Sequence, residues 1–423
     1  MICGLTLGCV RGAGYMHRLV AYDPYYGQRV QMTVTAAQDA VYGSRSQLTF
    51  DGSNVSVSSG QHLIGKIAIS GFGTNAVFQG DRVRVSGKLR PGYGAKQGSL
   101  GFANITVIAH HNSLIASIRR HFAAGMQTAL PEPLGSFAMG LLVGQRATLP
   151  ASAKQDLLMV GLTHIIAVSG YNLTIILHAS KKILAKRSKR MATLLSFGLI
   201  VVFLLLAGSS ASIVRAAIVS SISIATAYYG RTVKPLHLIT MAAAITAYAN
   251  PIYVWSDISW YLSFLAFFGV MLVAPLMSSR LPSRLAESSL VAVGIESICA
   301  EIMSLPIVLF TFGQMSLIGL PANMLVVALV PLAMLLSLLA GLACMLAPII
   351  AGWIAWPARV LLNYMLDTAH LLAHVPHIFV ENLRLPLSEM LLWYAGISMF
   401  VAALWFKTNQ RSAILTDISD ESW

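Results

Sequence analysis

Acidic side chains are scarce in this sequence. Of its 423 residues, 16 are Asp or Glu against 29 Lys or Arg, and charged residues of both signs make up 11%. Ordinary soluble domains carry about 25%. With 56% hydrophobic residues as well, the composition excludes an ordinary solvated globule and points to a polytopic α-helical membrane protein. Cysteine is sparse too. Cys3, Cys9, Cys299 and Cys344 sit singly in apolar stretches, which excludes a disulfide framework and a C-x-x-C metal pattern. The start, MICGLTLGCV, lacks the basic n-region and A-x-A site of a signal peptide. At about half the ~20 residues a span requires, residues 1–10 read as the stub of a truncated transmembrane segment.

Catalytic patterns are also missing. GQHLIGKI, from Gly60 to Ile67, has P-loop spacing but ends in Ile67 where Mg²⁺ needs a hydroxyl, and it lies among strands. Ser169 is not in a G-x-S-x-G elbow, and no H-x-H pair exists. Asp367, His370 and His374 share a helix face and have ligand chemistry, but a plain polar stripe is the favoured reading. Neither these residues nor Ser169 are paired by sequence with a catalytic partner. No cofactor is called for.

What is present divides into unlike parts. Residues 20–110 alternate polar and apolar with the period of strands, punctuated by Gly, Asn, Asp and Ser. About five short strands predict a small barrel or sandwich, with an OB-like fold as one form. In GDRVRVSGKLRPG, Val83, Val85 and Leu89 point one way, and Arg82, Arg84, Lys88 and Arg90 the other. From Arg11 to Arg120, twelve cations stand against four aspartates, leaving +8. Phe72, Phe78, Tyr93 and Phe102 lie nearby. Cations for the backbone and aromatics for the bases suit single-stranded nucleic acid; a solvated strand face over core aromatics is the plainer alternative.

Residues 113–160 read as amphipathic or interfacial helices. From 161 to 406 the apolar runs reach membrane length. Spans are expected near 162–180, 192–208, 211–229, 236–256, 258–278, 290–309, 321–346, 350–375 and 388–406. The loop KKILAKRSKR, 181–190, is expected to be cytoplasmic, which places the tail 407–423 inside and the β domain outside. Polar groups within spans mark a pathway or a site. They include His164, Ser169 and Asn172 in GLTHIIAVSGYNL, Arg215, Glu296 and Glu301, and Asn323. An ion pair between Arg215 and one of the two glutamates is expected. Ser169 and Asn172 share a face that His164 does not, so a break near Gly170 is expected. In span 350–375, Arg359, Asn363, Asp367, His370 and His374 form one face, either lining a wet cavity or lying in the interface.

Five segments in order resemble the ComEC competence family. GLTHIIAVSGYNL resembles its G-L-x-H-L-L-A-I-S-G-L-H-V, and LLVGQRATLP its L-L-L-G-D-R. IVRAAIV resembles R-A-x-I-M, and ANPIYVWSDISWYLSFLA resembles N-P-x-x-x-x-D-x-G-F-Q-L-S-F-x-A. EIMSLPIVLFTFGQMSLIGLPANMLVVALVPL resembles the segment running through F-G-x-x-S to N-x-x-x-x-P. The resemblance implies an inner-membrane channel importing single-stranded DNA in natural transformation, with an extracytoplasmic OB-like domain. Gly161, His164, Ser169, Gly170, Asn172, Arg215, Asp257, Ser263, Glu301, Pro306 and Asn323 would be its channel and motif residues. Arg82, Arg84, Lys88 and Arg90 would contact nucleic acid. Implied partners are single-stranded DNA, membrane lipid, an outside DNA receptor, a cytoplasmic translocase motor, a separate nuclease and a further copy of the chain. Asn172 stands where the family has His, Gln145 where it has Asp and Tyr261 where it has Gln. The chain stops before the metallo-β-lactamase-like domain of longer members. Intramembrane Arg, Glu and His also fit a transporter or exporter of a small solute or lipid.

Overall fold

The computed structural model describes residues 2–37, 40–42, 47–72, 77–92, 94, 96–110, 114–144, 149–166, 173, 177, 188–207, 211–231, 233–282, 288–346 and 348–420. Helix α1, Ile2–Leu19, continues past the expected stub and leads through Val20–Tyr25 into a barrel.

Five long strands build that barrel: β1 Arg29–Ala36, β2 Leu48–Val57, β3 Ile67–Phe72, β4 Arg82–Pro91 and β5 Gly98–Ala109. Two-residue strands Val41–Tyr42 and His62–Leu63 pair with β2. The order β1-β4-β5-β3-β2 closes because β2 also pairs with β1. Every long pairing is antiparallel except β3 with β5. Closure removes the unpaired edges that make open sheets sticky. Alternation in the sequence becomes alternation in burial: β4 reads exposed–buried from Arg82 to Leu89, with Val83, Val85 and Leu89 at 0% exposure. They pack with Val34, Leu48, Phe50, Ile67, Ile69 and Leu100 in one apolar core. Tyr22 is buried at that core, and burial pushes its phenol well above the ordinary value. At the barrel's far end the buried Asp81 accepts the Phe78 N–H and pairs with His110, both at 2.9 Å.

The rest is helical: α2 Leu114–Ala129, α3 Leu134–Val143, α4 Ala151–Met159, α5 Thr163–Ile166, α6 Lys189–Ala207, α7 Ala211–Tyr228, α8 Pro235–Ala249, α9 Ile252–Ser256 and α10 Ile258–Phe268. A π-helical turn, Gly269–Val273, joins α10 to α11, Ala274–Ser278. Then come α12 Ser289–Phe312, α13 Gly319–Val326, α14 Val330–Leu346, α15 Pro348–Ala373 and α16 Leu387–Asp420. Short strands β6 Met315–Ser316 and β7 Phe379–Val380 pair between them. Among the described residues, four stretches are long and apolar enough to cross a membrane: 258–278, 291–312, 319–346 and 387–406. Of the other expected spans, 192–208 falls on the apolar α6, 211–229 and 236–256 appear as shorter apolar helices and 350–375 as a more polar one, and most of 162–180 lies outside the described residues.

Residues 114–159 carry three helices, α2, α3 and α4. All ten residues of α3 are buried, and α2 packs on α14, where Gly341 lies so close that a Cβ would come within 2.6 Å of the Phe122 ring. α3 is buried throughout, whereas α2 and α4 are amphipathic, burying Phe122, Met126, Ala129 and Leu157 and exposing residues between them. Two polar groups of α15 reach α2 and α4. Arg359 donates through Nε and Nη2 to the Ala129 carbonyl at 3.1 and 2.6 Å, satisfying an orphan acceptor at the end of α2. His370 Nδ1 meets Asp156 of α4 at 2.8 Å. The opposite stripe, Ala355, Ala358, Leu362, Met365 and Ala369, is buried.

Candidate functional site

Three places carry the residues singled out by sequence. The first is a turn after α4. Leu162 N–H bonds to Leu157 carbonyl at 2.7 Å and Gly161 N–H to Leu158 carbonyl at 3.0 Å. With Gly161 at φ +76°, this is a Schellman stop, and the buried Leu157 and Leu162 supply its apolar contact. The Gly-Leu that opens the motif is therefore a helix terminator. It also makes close packing possible: a Cβ at Gly161 would lie 3.2 Å from the Ser316 Cβ and 3.4 Å from the Gly319 Cα. Glu301, in α12, comes to the same place, its Oε1 3.3 Å from where a Gly319 Cβ would be, beside the N-terminus of α13. A carboxylate complements the partial positive charge of a helix start. The Ser316 hydroxyl is buried there without a hydrogen-bond partner, as is the Asn323 amide oxygen farther along α13. Thus Gly161 and Glu301 converge, joined by Ser316 and Gly319, which sequence reasoning did not select. No local pattern could have revealed that pair, since the contact spans about 150 residues of chain. His164 is exposed and, among the described residues, bonds its own turn, its Nδ1 3.1 Å from the Gly161 carbonyl. Ser169, Gly170 and Asn172, with the expected helix break, lie outside the described residues.

The second place is Arg215 on α7. It is 7% exposed, and its guanidinium lies 4.9 Å from the Phe267 ring and 5.6 Å from Phe264. Its Nε has no hydrogen-bond partner. The expected ion pair is not there: among the described residues Arg215 makes no salt bridge, because its side chain faces α10 while Glu301 faces α13. Ser263 on α10 bonds Ser212 at 3.1 Å, tying the two helices together. Asp257 caps α10, accepting from Ser259 and Trp260 N–H at 2.9 and 3.4 Å. Pro306 lies inside α12. Asp257, Ser263 and Pro306 thus shape helices rather than line a described cavity. Among the described residues no three His, Cys, Asp or Glu side chains could hold a metal; of the expected stripe, His370 pairs with Asp156 of α4 and His374 bonds the His370 carbonyl of its own helix.

The third place is the outer barrel face of β1, β4 and β5. Arg82, Arg84, Lys88 and Arg90 all point outward and are exposed. Register sets Arg29 of β1 directly opposite Lys88, Thr33 opposite Arg84 and Thr35 opposite Arg82. Four of the five long strands contain no acidic residue. The exception, Asp51 of β2, is held by Lys96 at 2.5 Å. Like charges directly opposed on a sheet repel, so an uncompensated pair such as Arg29 and Lys88 is a feature without a folding reason. Arg82 also borders a cavity of about 680 Å³ with Lys66, His62, Thr33, Ser53 and Asn250. Asn250 belongs to the turn after α8, so this groove joins the barrel to the helical part. Nearby, Arg11 stacks on Tyr248 at 4.2 Å and donates to its carbonyl. Of the four aromatics noted in the sequence, Phe72 and Phe102 are exposed on the barrel. Phe78 lies 5.5 Å from the Arg120 guanidinium, and Tyr93 is outside the described residues.

Comparison with known proteins bears on the first two places, which lie in the helical part. The model of the family described as Competence protein matches residues 141–407. ComE operon protein 3 of Bacillus subtilis (strain 168) is 25% identical over 260 residues, which is 59% of this chain and 33% of that protein. The chain therefore matches about a third of that relative's length. No solved structure matches.

Proposed function

The chain belongs to the competence protein family, and from that premise we propose that it admits single-stranded DNA across the cytoplasmic membrane during natural transformation. The observation that carries this reading is the acid-free cationic barrel face, whose Arg82 end opens into the groove shared with Asn250. A polyanion arriving on that face meets cations without competing carboxylates, and the groove leads it to the helical part. We read the barrel as OB-like and extracytoplasmic. Closure of five strands with one parallel pair supports the first. The basic face departs from the usual arrangement, however. OB-folds bind oligonucleotides on strands 2 and 3 and the adjoining loops, whereas these cations lie on β1 and β4.

In the helical part, Arg215 is the cation placed to meet a passing phosphate, and the Gly161–Glu301–Ser316 junction holds the start of the motif segment in place. An outside receptor would deliver DNA, a cytoplasmic motor would pull it, and a separate nuclease would degrade the other strand. A second copy of the chain would complete the passage. One observation favours a different reading: an unpaired buried Arg215 also suits a transporter of a small anionic solute. Deletion in the native host distinguishes the two. Loss of transformation together with loss of internalised labelled DNA is expected; normal transformation refutes the DNA reading and leaves the solute.

A further inference from the structure

The alternation of β5 is interrupted at Gly101–Phe102, and an isolated glycine inside a strand pattern marks a bulge. Both neighbours register it. On β4, Ser86 and Lys88 face Asn104 and Gly101; on β3, Ile69 and Gly71 face Leu100 and Ala103. One extra residue on β5 is thus left unpaired, and Phe102 takes φ +53°. A bulky aromatic rarely adopts that backbone, and a bulge here re-aims a side chain. Phe102 is aimed into water: it is 82% exposed. Phe72, at the end of β3, is 47% exposed, and the two rings lie 6.5 Å apart at 31°. A strained residue whose ring gains nothing from the core calls for a function outside it.

The surroundings specify the occupant. Lys88 lies opposite Gly101 on one side and Arg29 on the other, so the cations adjoin the rings on neighbouring strands. Phe72 stands two strands from Lys88 and level with Ser86, ~12 Å away, a span that the long lysine side chain and one nucleotide can bridge. Ser86, Asn104 and Ser70 fill the face between them with hydrogen-bonding groups.

We propose that Phe72 and Phe102 form a stacking step for the bases of a single-stranded nucleic acid whose phosphates run along the β4 cations. This rests on the reading of the barrel as a DNA-binding face and adds to it that affinity depends on bases as well as charge.

The test uses the full chain in zwitterionic nanodiscs. Labelled oligo-dT and an abasic backbone of equal length are titrated against wild type, the double variant Phe72→Ala/Phe102→Ala, Phe102→Gly and Phe102→Trp. Wild type is expected to prefer oligo-dT by about five- to 150-fold per stacked base. The double variant loses that preference with its salt dependence unchanged, and Phe102→Trp keeps it. Phe102→Gly melts no lower than wild type, since glycine takes φ +53° freely, so its weaker binding is not unfolding. Equal preference in the double variant overturns the proposal while leaving the cationic face intact. Loss of binding to added anionic phosphatidylglycerol vesicles, with base preference retained, assigns the rings to a lipid surface and also overturns it. If wild type binds neither oligonucleotide, the DNA reading of the barrel itself fails.

Discussion

Replacing Arg82, Arg84, Lys88 and Arg90 together with Gln tests the cationic face quantitatively. Cations two residues apart on a strand stand ~6.6 Å from one another, and the stripe runs ~26 Å, so an extended backbone can reach all four. Each phosphate contact on a single strand contributes about 0.7 to the slope of log affinity against log salt. Four contacts give a slope of about 2.8, which is about a fifty-fold loss of affinity for a fourfold rise in salt. The variant should therefore lose two to three units of slope. Folding should survive, because Val83, Val85 and Leu89 retain the buried side of β4. Removing Lys88 also ends its opposition to Arg29, a relief of about 0.2–1 kcal/mol, so the melting temperature should hold or rise slightly. The assay is anisotropy of a labelled oligonucleotide against the chain in nanodiscs at several salt concentrations. A folded quadruple variant with the wild-type slope would show that these cations are only a solvated strand face.

Three further outcomes are expected. Arg215→Met should raise or preserve the melting temperature while abolishing DNA uptake: the desolvation of a buried cation without a carboxylate is several kcal/mol, set against about 2 kcal/mol or more from the aromatic rings. A clear fall in melting temperature would make Arg215 a structural cation. Gly161→Ala should destabilise by about 2 kcal/mol, from the left-handed backbone and the tight approach to Ser316; an unchanged melting curve in detergent would refute the turn assignment. Arg359→Met removes two charged donors from the Ala129 carbonyl and should cost about 1.5–3 kcal/mol, with faster amide exchange at the end of α2. Exchange unchanged there would mean that this carbonyl is satisfied in another way.

Much of the barrel was legible residue by residue. The alternation at 82–90 and at Ile67–Phe72 appears directly as exposed and buried positions, because strand side chains must alternate faces. The helix stop at Gly161 was legible in principle, as a glycine followed by leucine after an apolar stretch, although it was read as a channel residue. The bulge at Phe102 also had its signal in Gly101. The ion pair expected for Arg215 is absent among the described residues, since periodicity says which helix a residue is on but not which helix it faces.

The sequence by itself determined the division into a basic β domain and an apolar helical part, the helix and strand periods, and the one-sided placement of Arg82, Arg84, Lys88 and Arg90. These follow from covalent geometry and from composition over a few residues. Only the tertiary structure decided that β1 closes onto β2, that α3 is buried throughout, and that Gly161 meets Ser316 and Gly319, with Glu301 beside Gly319. It also decided that Arg215 lies against Phe264 and Phe267 without a carboxylate. Each of these is a meeting of segments distant in the chain, set by which arrangement buries the most apolar surface with its polar groups satisfied, and no window of sequence contains that competition.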